Sequence, residues 1–212
     1  MIKKILIISI SFILILIFGF YFSFIDYESY NNQEVNFVIN KPYLSVVKSL
    51  ATKESLEKTV EESNGRLRSK NWQSFIVEVP KKILRLKEYK LEGKLDFVVE
   101  KEDDSLGRLV LQFEQNVSVD KDVFHIKTNL KEPQKNVTLY NKAIDIAPSL
   151  EDHLKTQVSI KNEIKIKKFI PFFIKDFMDK KVEKTNKEDL ENLRLNLLRS
   201  TQDVSPIVKF KF

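Results

Sequence analysis

The 212-residue chain has no cysteine. A disulfide framework is excluded, and a domain of about 185 residues can bury enough core without one. Only two histidines occur, His125 and His153, far apart in the chain. With no thiolate to join them, they do not make a zinc site. Glycine is scarce, at four residues. None of the four sits in a phosphate-cradling loop or a Gly-x-Ser-x-Gly nucleophile turn, and no cofactor-binding pattern stands out. The net charge is +6, and +4 without Lys3 and Lys4. Lysine and glutamate are mixed along the chain, with no basic block of the kind that holds nucleic acid. There is no internal repeat.

What the chain does have begins at its front. After Lys3 and Lys4, residues Ile5 to Ile25 carry no charge. At about 1.5 Å per residue, these roughly 21 residues span about 31 Å as a helix, the thickness of a bilayer core. A cleaved export signal has a shorter apolar core and a small-residue cleavage site. Phe20-Tyr21-Phe22-Ser23-Phe24 offers no such site. The expectation is a single-pass signal-anchor helix over residues 1–25. Two lysines before it and Asp26 and Glu28 after it place the N-terminus in the cytoplasm and the rest of the chain outside. Residues 26–33 read as a polar spacer.

Beyond the spacer, Val35, Phe37 and Ile39 alternate with Asn36, Val38 and Asn40, predicting a strand. Pro42 opens a helix with Leu44, Val47 and Leu50 inward. A second helix starts near Lys53, with Thr52 as its cap, Leu56 and Val60 inward, and Asn64-Gly65 at its end. From Arg66 to Lys168 the period is two. The expected strands are Trp72–Val79, Tyr89–Lys101, Gly107–Val119, Val123–Leu130, Val137–Ile146 and Thr156–Lys168, joined by polar turns such as Asp120-Lys121-Asp122. In the last strand Asn162 is the one break on a face of Val158, Ile160, Ile164 and Ile166. From Ile170 the period changes. Ile170, Phe173, Ile174, Phe177, Met178 and Val182, then Leu190, Leu193 and Leu197, predict one amphipathic helix of about 28 residues with Pro171 in its first turn. Residues 200–212 read as a tail. The fold class is therefore α+β: a transmembrane helix, then an antiparallel curved sheet packed on a long C-terminal helix.

This order of elements resembles the START-like superfamily, also called SRPBCC or the helix-grip fold, over roughly Glu34 to Arg199. Three stretches carry the resemblance. Asn36-Phe37-Val38-Ile39-Asn40-Lys41-Pro42 runs from strand straight into a Pro-started helix. A helix pair ends at Asn64-Gly65. Ile164-Lys165-Ile166-Lys167-Lys168-Phe169-Ile170-Pro171-Phe172-Phe173 leads the last strand into the terminal helix. The resemblance implies a sheet wrapped around the C-terminal helix and enclosing an apolar pocket. Family members bind lipids, sterols, polyketides or hormones, and some are enzymes. The membrane anchor, the few glycines and the tail depart from the family pattern and leave the subfamily open.

The aromatic residues on the apolar faces, Trp72, Phe75, Tyr89, Phe97, Phe113, Tyr140, Phe173 and Phe177, are the candidates for lining such a pocket. Lys180, Lys181 and Lys184 stand where they could hold an anionic headgroup at its mouth. His125 shares a strand face with Val123 and Lys127, opposite Phe124 and Ile126, and is the only candidate acid–base residue. Glu102-Asp103-Asp104 and Glu188-Asp189 read as solvated charge. The resulting expectation is a membrane-anchored module that binds a lipid or another hydrophobic molecule. The competing readings are an enzyme of the same fold using His125, and an assembly module with a filled core.

Overall fold

The computed structural model describes residues 12–14, 19, 23–61, 66–78, 90–103, 107–120, 122–134 and 136–202. Seven strands form one antiparallel sheet: β1 (Phe24–Ile39), β2 (Arg66–Glu78), β3 (Lys90–Asp103), β4 (Gly107–Asp120), β5 (Val123–Leu130), β6 (Val137–Pro148) and β7 (Thr156–Pro171). Their spatial order is β1-β7-β6-β5-β4-β3-β2. From β2 to β7 each strand pairs with the next, and β1 closes onto the far side of β7. Three helices cover one face: α1 (Tyr43–Leu50), α2 (Lys53–Glu61) and α3 (Lys175–Gln202). The expected strands from β3 to β7 are all present, with their ends moved by a few residues.

The local chemistry accounts for the joints. Pro42 ends β1, and its carbonyl accepts the first α1 bonds from Ser45 and Val46 (3.0 and 3.2 Å). Thr52 caps α2 through its hydroxyl, which accepts the Ser55 N–H at 3.1 Å. The β4–β5 turn places Asp122 at φ 66°, a left-handed conformation that aspartate tolerates. At the other end of the domain, the Lys41 ammonium donates to the Thr201 carbonyl, and the Thr156 hydroxyl donates to the Lys41 carbonyl at 2.7 Å. These bonds tie the end of α3 to the β1–α1 corner.

The core is in two main parts. The larger lies under α1, α2 and the second half of α3, where Val46, Leu50, Leu56, Phe124, Ile126, Ile144, Ile146, Ile160, Leu190 and Leu197 are all buried. The smaller lies between β3 and β4, with Leu95, Phe97, Val99, Leu111 and Phe113, and reaches Val137 on β6. A third cluster, Tyr27, Ile170 and Met178, closes the start of α3 over the ends of β1 and β7.

Several expectations are corrected. Residues 26–33 are not a spacer but half of β1, paired residue for residue with β7 from Phe24↔Pro171 to Ile39↔Thr156. Their inward residues, Tyr27, Ser29, Asn31 and Gln33, are polar because they meet polar partners. Tyr27 donates to Asp179 at 2.8 Å, Asn31 accepts from Asn186, and Gln33 donates to the Glu183 carbonyl at 3.3 Å. Phe24 and Ile25, assigned to the anchor, belong to β1. Most of the expected transmembrane helix lies outside the described residues; Phe12–Leu14 and Gly19 are helical, and Phe12, Ile13 and Leu14 are exposed. Among the described residues no helix is long and apolar enough to cross a membrane. Leu44 faces outward, and Ser45 and Val46 take the inner face of α1 with Val47 and Leu50. The Val60 side chain, Asn64, Gly65 and residues 203–212 of the tail lie outside the described residues. Residues 200–202 are still helix, with Thr201 buried and its hydroxyl bonded back to the Leu197 carbonyl at 3.0 Å.

The largest correction concerns the start of the terminal helix. β7 runs on through Pro171, a 3-10 turn takes Phe172–Ile174, and α3 begins only at Lys175. The inward stripe of α3 is Met178, Val182, Asn186, Leu190, Leu193 and Leu197. Phe173 and Phe177 point away from the sheet and are exposed. The expected stripe from Ile170 is thus broken at the 3-10 turn, and the buried face of α3 starts at Met178. Phe177→Ala is therefore expected to change the unfolding free energy by less than about 0.5 kcal/mol. Met178→Ala, on the buried side, should cost about 2–5 kcal/mol. Denaturant unfolding of the two variants checks this; a large loss for Phe177→Ala would mean that its face is packed.

Candidate functional site

A cavity of about 110 Å³ lies between the first half of α3 and the concave face of the sheet. Strand alternation builds its floor. On β3 and β4 the odd-numbered residues face inward, and they supply Val99, Leu109, Leu111 and Phe113. Val137 and Tyr140 of β6 and Ile164 and Ile166 of β7 complete the apolar wall. The roof is Met178 and Val182 of α3. Lys101, Lys181, Thr185 and Asp189 add polar groups to the lining.

The inner end of the cavity is polar. Asn162 interrupts the apolar face of β7 where Asn186 interrupts the apolar stripe of α3, and the two meet. Asn162 Nδ2 donates to Asn186 Oδ1 at 2.6 Å, and Asn186 Nδ2 donates in turn to Asn31 Oδ1 on β1. Both Asn162 and Asn186 are buried. This chain of amides leaves Asn162 Oδ1 with no donor among the described residues. A buried carbonyl oxygen without a donor costs about 1–3 kcal/mol, which a molecule bringing an O–H or N–H into the cavity would offset.

Register extends this polar patch across the sheet. Opposed residues share a face, and the row Gln115–Thr128–Lys142–Asn162–Gln33 is continuous through β4, β5, β6, β7 and β1. Gln115 Nε2 donates to Thr128 Oγ1 at 3.4 Å, and Gln115 Oε1 is a second buried oxygen without a donor among the described residues. The Lys142 ammonium lies over the Tyr140 ring, 6.0 Å from its centroid. A belt of hydrogen-bonding groups thus divides the large apolar cluster from the smaller one. The cavity lies on the side of the smaller cluster.

Beside the cavity, Tyr27 closes the start of α3. Burial pushes its phenol up to about 12; the Ser29 hydrogen bond opposes that rise, and the Asp179 carboxylate adds to it. The protonated phenol is thus favoured in the folded chain. Its contribution to stability is complete below pH 10.0, the ordinary value, and is lost as pH rises to about 12. Tyr27→Phe should flatten that part of the stability–pH curve, as measured by denaturant unfolding at several pH values. An unchanged slope would show that Tyr27 does not titrate there.

The expected site residues divide into five groups. Phe113 and Tyr140 line the cavity, edge to face with centroids 5.3 Å apart. Phe97 stacks behind Phe113 at 5.2 Å and supports it. Trp72 and Phe75 lie elsewhere, on β2, packed edge to face over Gly93 of β3; a Cβ on Gly93 would come within 3.1 Å of Phe75. The Trp72 indole donates to Glu57 of α2 at 2.8 Å. That bond and the Lys70 ammonium hold the Glu57 carboxyl below its usual range, the Lys70 hydrogen bond being the largest cause. Phe173 and Phe177 are exposed, and Tyr89 lies outside the described residues. Of the three lysines suggested for the mouth, Lys181 lines the cavity, joined by Lys101; Lys180 is exposed, and Lys184 pairs with Glu188 at 3.7 Å.

His125 is on the other face of the sheet. It sits opposite Asp145 in the β5–β6 ladder, and its Nδ1 lies 2.6 Å from Asp145 Oδ1. Phe124 and Ile126, its neighbours in sequence, are the ones that enter the core. His125 is thus separated from the cavity by the sheet itself. His153 is exposed, and no group of three or more acidic or histidine residues able to hold a metal occurs among the described residues. Asn162 and Asn186, the two central polar groups of the cavity, were not among the expected site residues. Their signal in the sequence was the interruption each makes in an otherwise apolar face.

The seven-stranded antiparallel sheet, the helix pair after its first strand and the long terminal helix over its concave side together decide the architecture. The chain has the START-like, helix-grip fold. Solved structures share this fold at low identity. TTHA0849 from Thermus thermophilus is 15% identical, with a TM-score of 0.50 over 82% of this chain and 99% of that one. SA2116 from Staphylococcus aureus, a protein of unknown function, is 11% identical, with a TM-score of 0.50 over 82% and 95%. A START superfamily protein from Mycobacterium smegmatis is 13% identical, with a TM-score of 0.49 over 82% and 99%. At these identities only the fold is shared. No family model matches the sequence, and no curated protein is similar to it. In the helix-grip fold described here, the cavity lies in the grip between sheet and helix.

Proposed function

We propose that the chain is a membrane-tethered binding module whose cavity under α3 takes an apolar molecule carrying one hydrogen-bond-donating group. The observation that carries this reading is the pairing of an apolar wall with the buried, donor-less Asn162 Oδ1. Specific apolar sites are of this type, with a greasy lining and few polar anchors. The size sets a limit. At about 110 Å³ the cavity is smaller than the roughly 150 Å³ that holds a benzene ring in an engineered core. The part of the ligand enclosed is therefore a short acyl segment or a single small ring, and the remainder extends past Lys101 and Lys181. Two ammonium groups there suit an anionic headgroup. The tether is residues 5–23, the part of the uncharged stretch that precedes β1, with Lys3 and Lys4 on the cytoplasmic side and the domain outside.

The test is extraction and mass spectrometry of small molecules that co-purify with the full chain. The wild type and His125→Ala should retain the same apolar species. Leu111→Trp, which fills the cavity, and Asn162→Leu, which removes its anchor, should lose it. Should the wild type carry nothing and take up no fluorescent fatty acid, the binding reading fails.

A further inference from the structure

Four exposed phenylalanines gather at one end of the domain. Phe169 is 54% exposed, Phe172 58%, Phe173 69% and Phe177 64%. Two of them are tied to the point where the chain enters the fold, Phe169 through Phe24 and Phe172 through Ser23. Phe169 stacks on Phe24 at 5.2 Å, and Phe172 meets Phe173 edge to face at 5.8 Å. Phe173 and Phe177 are four residues apart at the start of α3, and the Phe172 N–H donates to the Ser23 carbonyl at 2.7 Å. Isolated exposed apolar residues are ordinary, but four exposed phenylalanines within nine residues, at one end of the domain, mark a surface that meets something apolar.

The chain's own N-terminal segment says what that is. Residues 5–23 number about 19, and as a helix they span roughly 28 Å, nearly the whole hydrocarbon core. β1 begins at Phe24. In sequence the uncharged segment runs straight into β1, so on the tethering reading the end of the domain that carries Phe24, Phe169 and Phe172 lies at the bilayer surface. We propose that Phe169, Phe172, Phe173 and Phe177 form an aromatic rim that inserts into the interfacial layer of the lipid bilayer and seats the cavity mouth on it. The cavity-lining Met178 and Lys181 follow Phe177 within one helical turn. An apolar molecule then passes between bilayer and cavity without crossing water. The lysines around this rim (Lys165, Lys167, Lys168, Lys175, Lys180) stand among Asp26, Glu28, Asp176 and Asp179, so apolar insertion carries the contact, and Lys101 and Lys181 at the mouth add a local positive charge. The inference rests on the tethering reading above.

The lack of cysteine makes the test direct. The full chain is placed in nanodiscs of neutral phosphatidylcholine with one fluorescent label, at Phe173→Cys, Phe177→Cys, Phe12→Cys or Leu150→Cys. These positions are exposed, so the fold tolerates the change. Leu150, 92% exposed on the β6–β7 turn at the far end of the sheet, is the aqueous reference. Labels at 173 and 177 should lie about 5–10 Å inside the headgroup boundary. Bromine-bearing lipid should quench them, and iodide should reach them several-fold more slowly than the label at 150. Iodide quenching equal to that at 150 overturns the rim. Shielding from iodide without quenching by lipid also overturns it, since a second copy of the chain would then cover the patch. The label at Phe12 separates the two readings. If it is lipid-quenched while 173 and 177 are aqueous, the rim alone fails. If all three are aqueous, tether and rim fail together.

Discussion

Phe124→Ala is expected to lower the unfolding free energy by about 3–5 kcal/mol. Phe124 is fully buried at the centre of the larger cluster, opposite Val119 on β4 and Ile146 on β6. Truncation loses the transfer energy of the ring and leaves a hole that these neighbouring strands, fixed by their own ladders, can close only in part. Folded domains have margins of about 5–15 kcal/mol, so one such change takes much of what holds the fold. The single tryptophan reports the transition, because Trp72 is held over Gly93 and bonded to Glu57 only in the folded chain. A loss below about 1 kcal/mol would show that the cluster relaxes around the deletion and that the sheet is not the rigid wall described here. His125→Ala, one residue along the same strand, removes only an outer-face contact with Asp145 and should change stability little.

The second large effect is on the asparagine chain, where a loss in the single variant is recovered in the double one. Asn186→Leu removes the central member. Asn162 Nδ2 then loses its acceptor while remaining buried, which costs about 1–3 kcal/mol; Asn31, at the half-buried sheet edge, loses less. The double variant Asn162→Leu with Asn186→Leu removes both buried amides and joins Ile160, Ile164 and Leu190 across the gap. Replacing both partners by apolar groups of similar size is close to neutral or stabilising. The double variant should therefore regain most or all of the stability lost by the single one, while ligand retention disappears. A double-mutant cycle on unfolding free energy, run beside the extraction experiment, measures both. If the two losses simply add, the amides are not coupled, and the polar end of the cavity is not a unit.

That expected trade of stability for binding explains why the site was harder to read than the fold. Alternation along β3 to β7 is a long signal, repeated over dozens of residues, and it located those five strands. The cavity is a local exception to the same signal. Asn162 was visible as a polar break in the β7 face, but a break gains meaning only when Asn186 is seen to fall opposite it, 24 residues later on another element. Of the described aromatics chosen as lining residues, only Phe113 and Tyr140 line the cavity, for a related reason. Trp72 and Phe75 fill space by packing against each other and against a glycine, whereas the gap itself is bounded mostly by branched aliphatic residues. The first half of β1 was hidden because its inward residues are polar, as their partners on α3 require. Phe173 and Phe177 misled because a 3-10 turn separates strand from helix, so the apolar stripe could not be carried across Pro171 without a change of phase.

The pairing of β1 with β7 also dictates an order of events during synthesis. β2 to β6 each pair with the strand that follows in sequence, so each can pair as soon as the next strand emerges. β1 cannot, since among the described strands β7 is its sole neighbour, and Ile39 must wait for Thr156, Phe24 for Pro171. Such distant contacts form slowly, because a long loop must close before they return any free energy. A nascent chain halted before residue 156 therefore carries a finished meander and an orphan first strand. Where the front of the chain is held at a membrane, that strand waits at the surface while the rest of the protein is delivered to it.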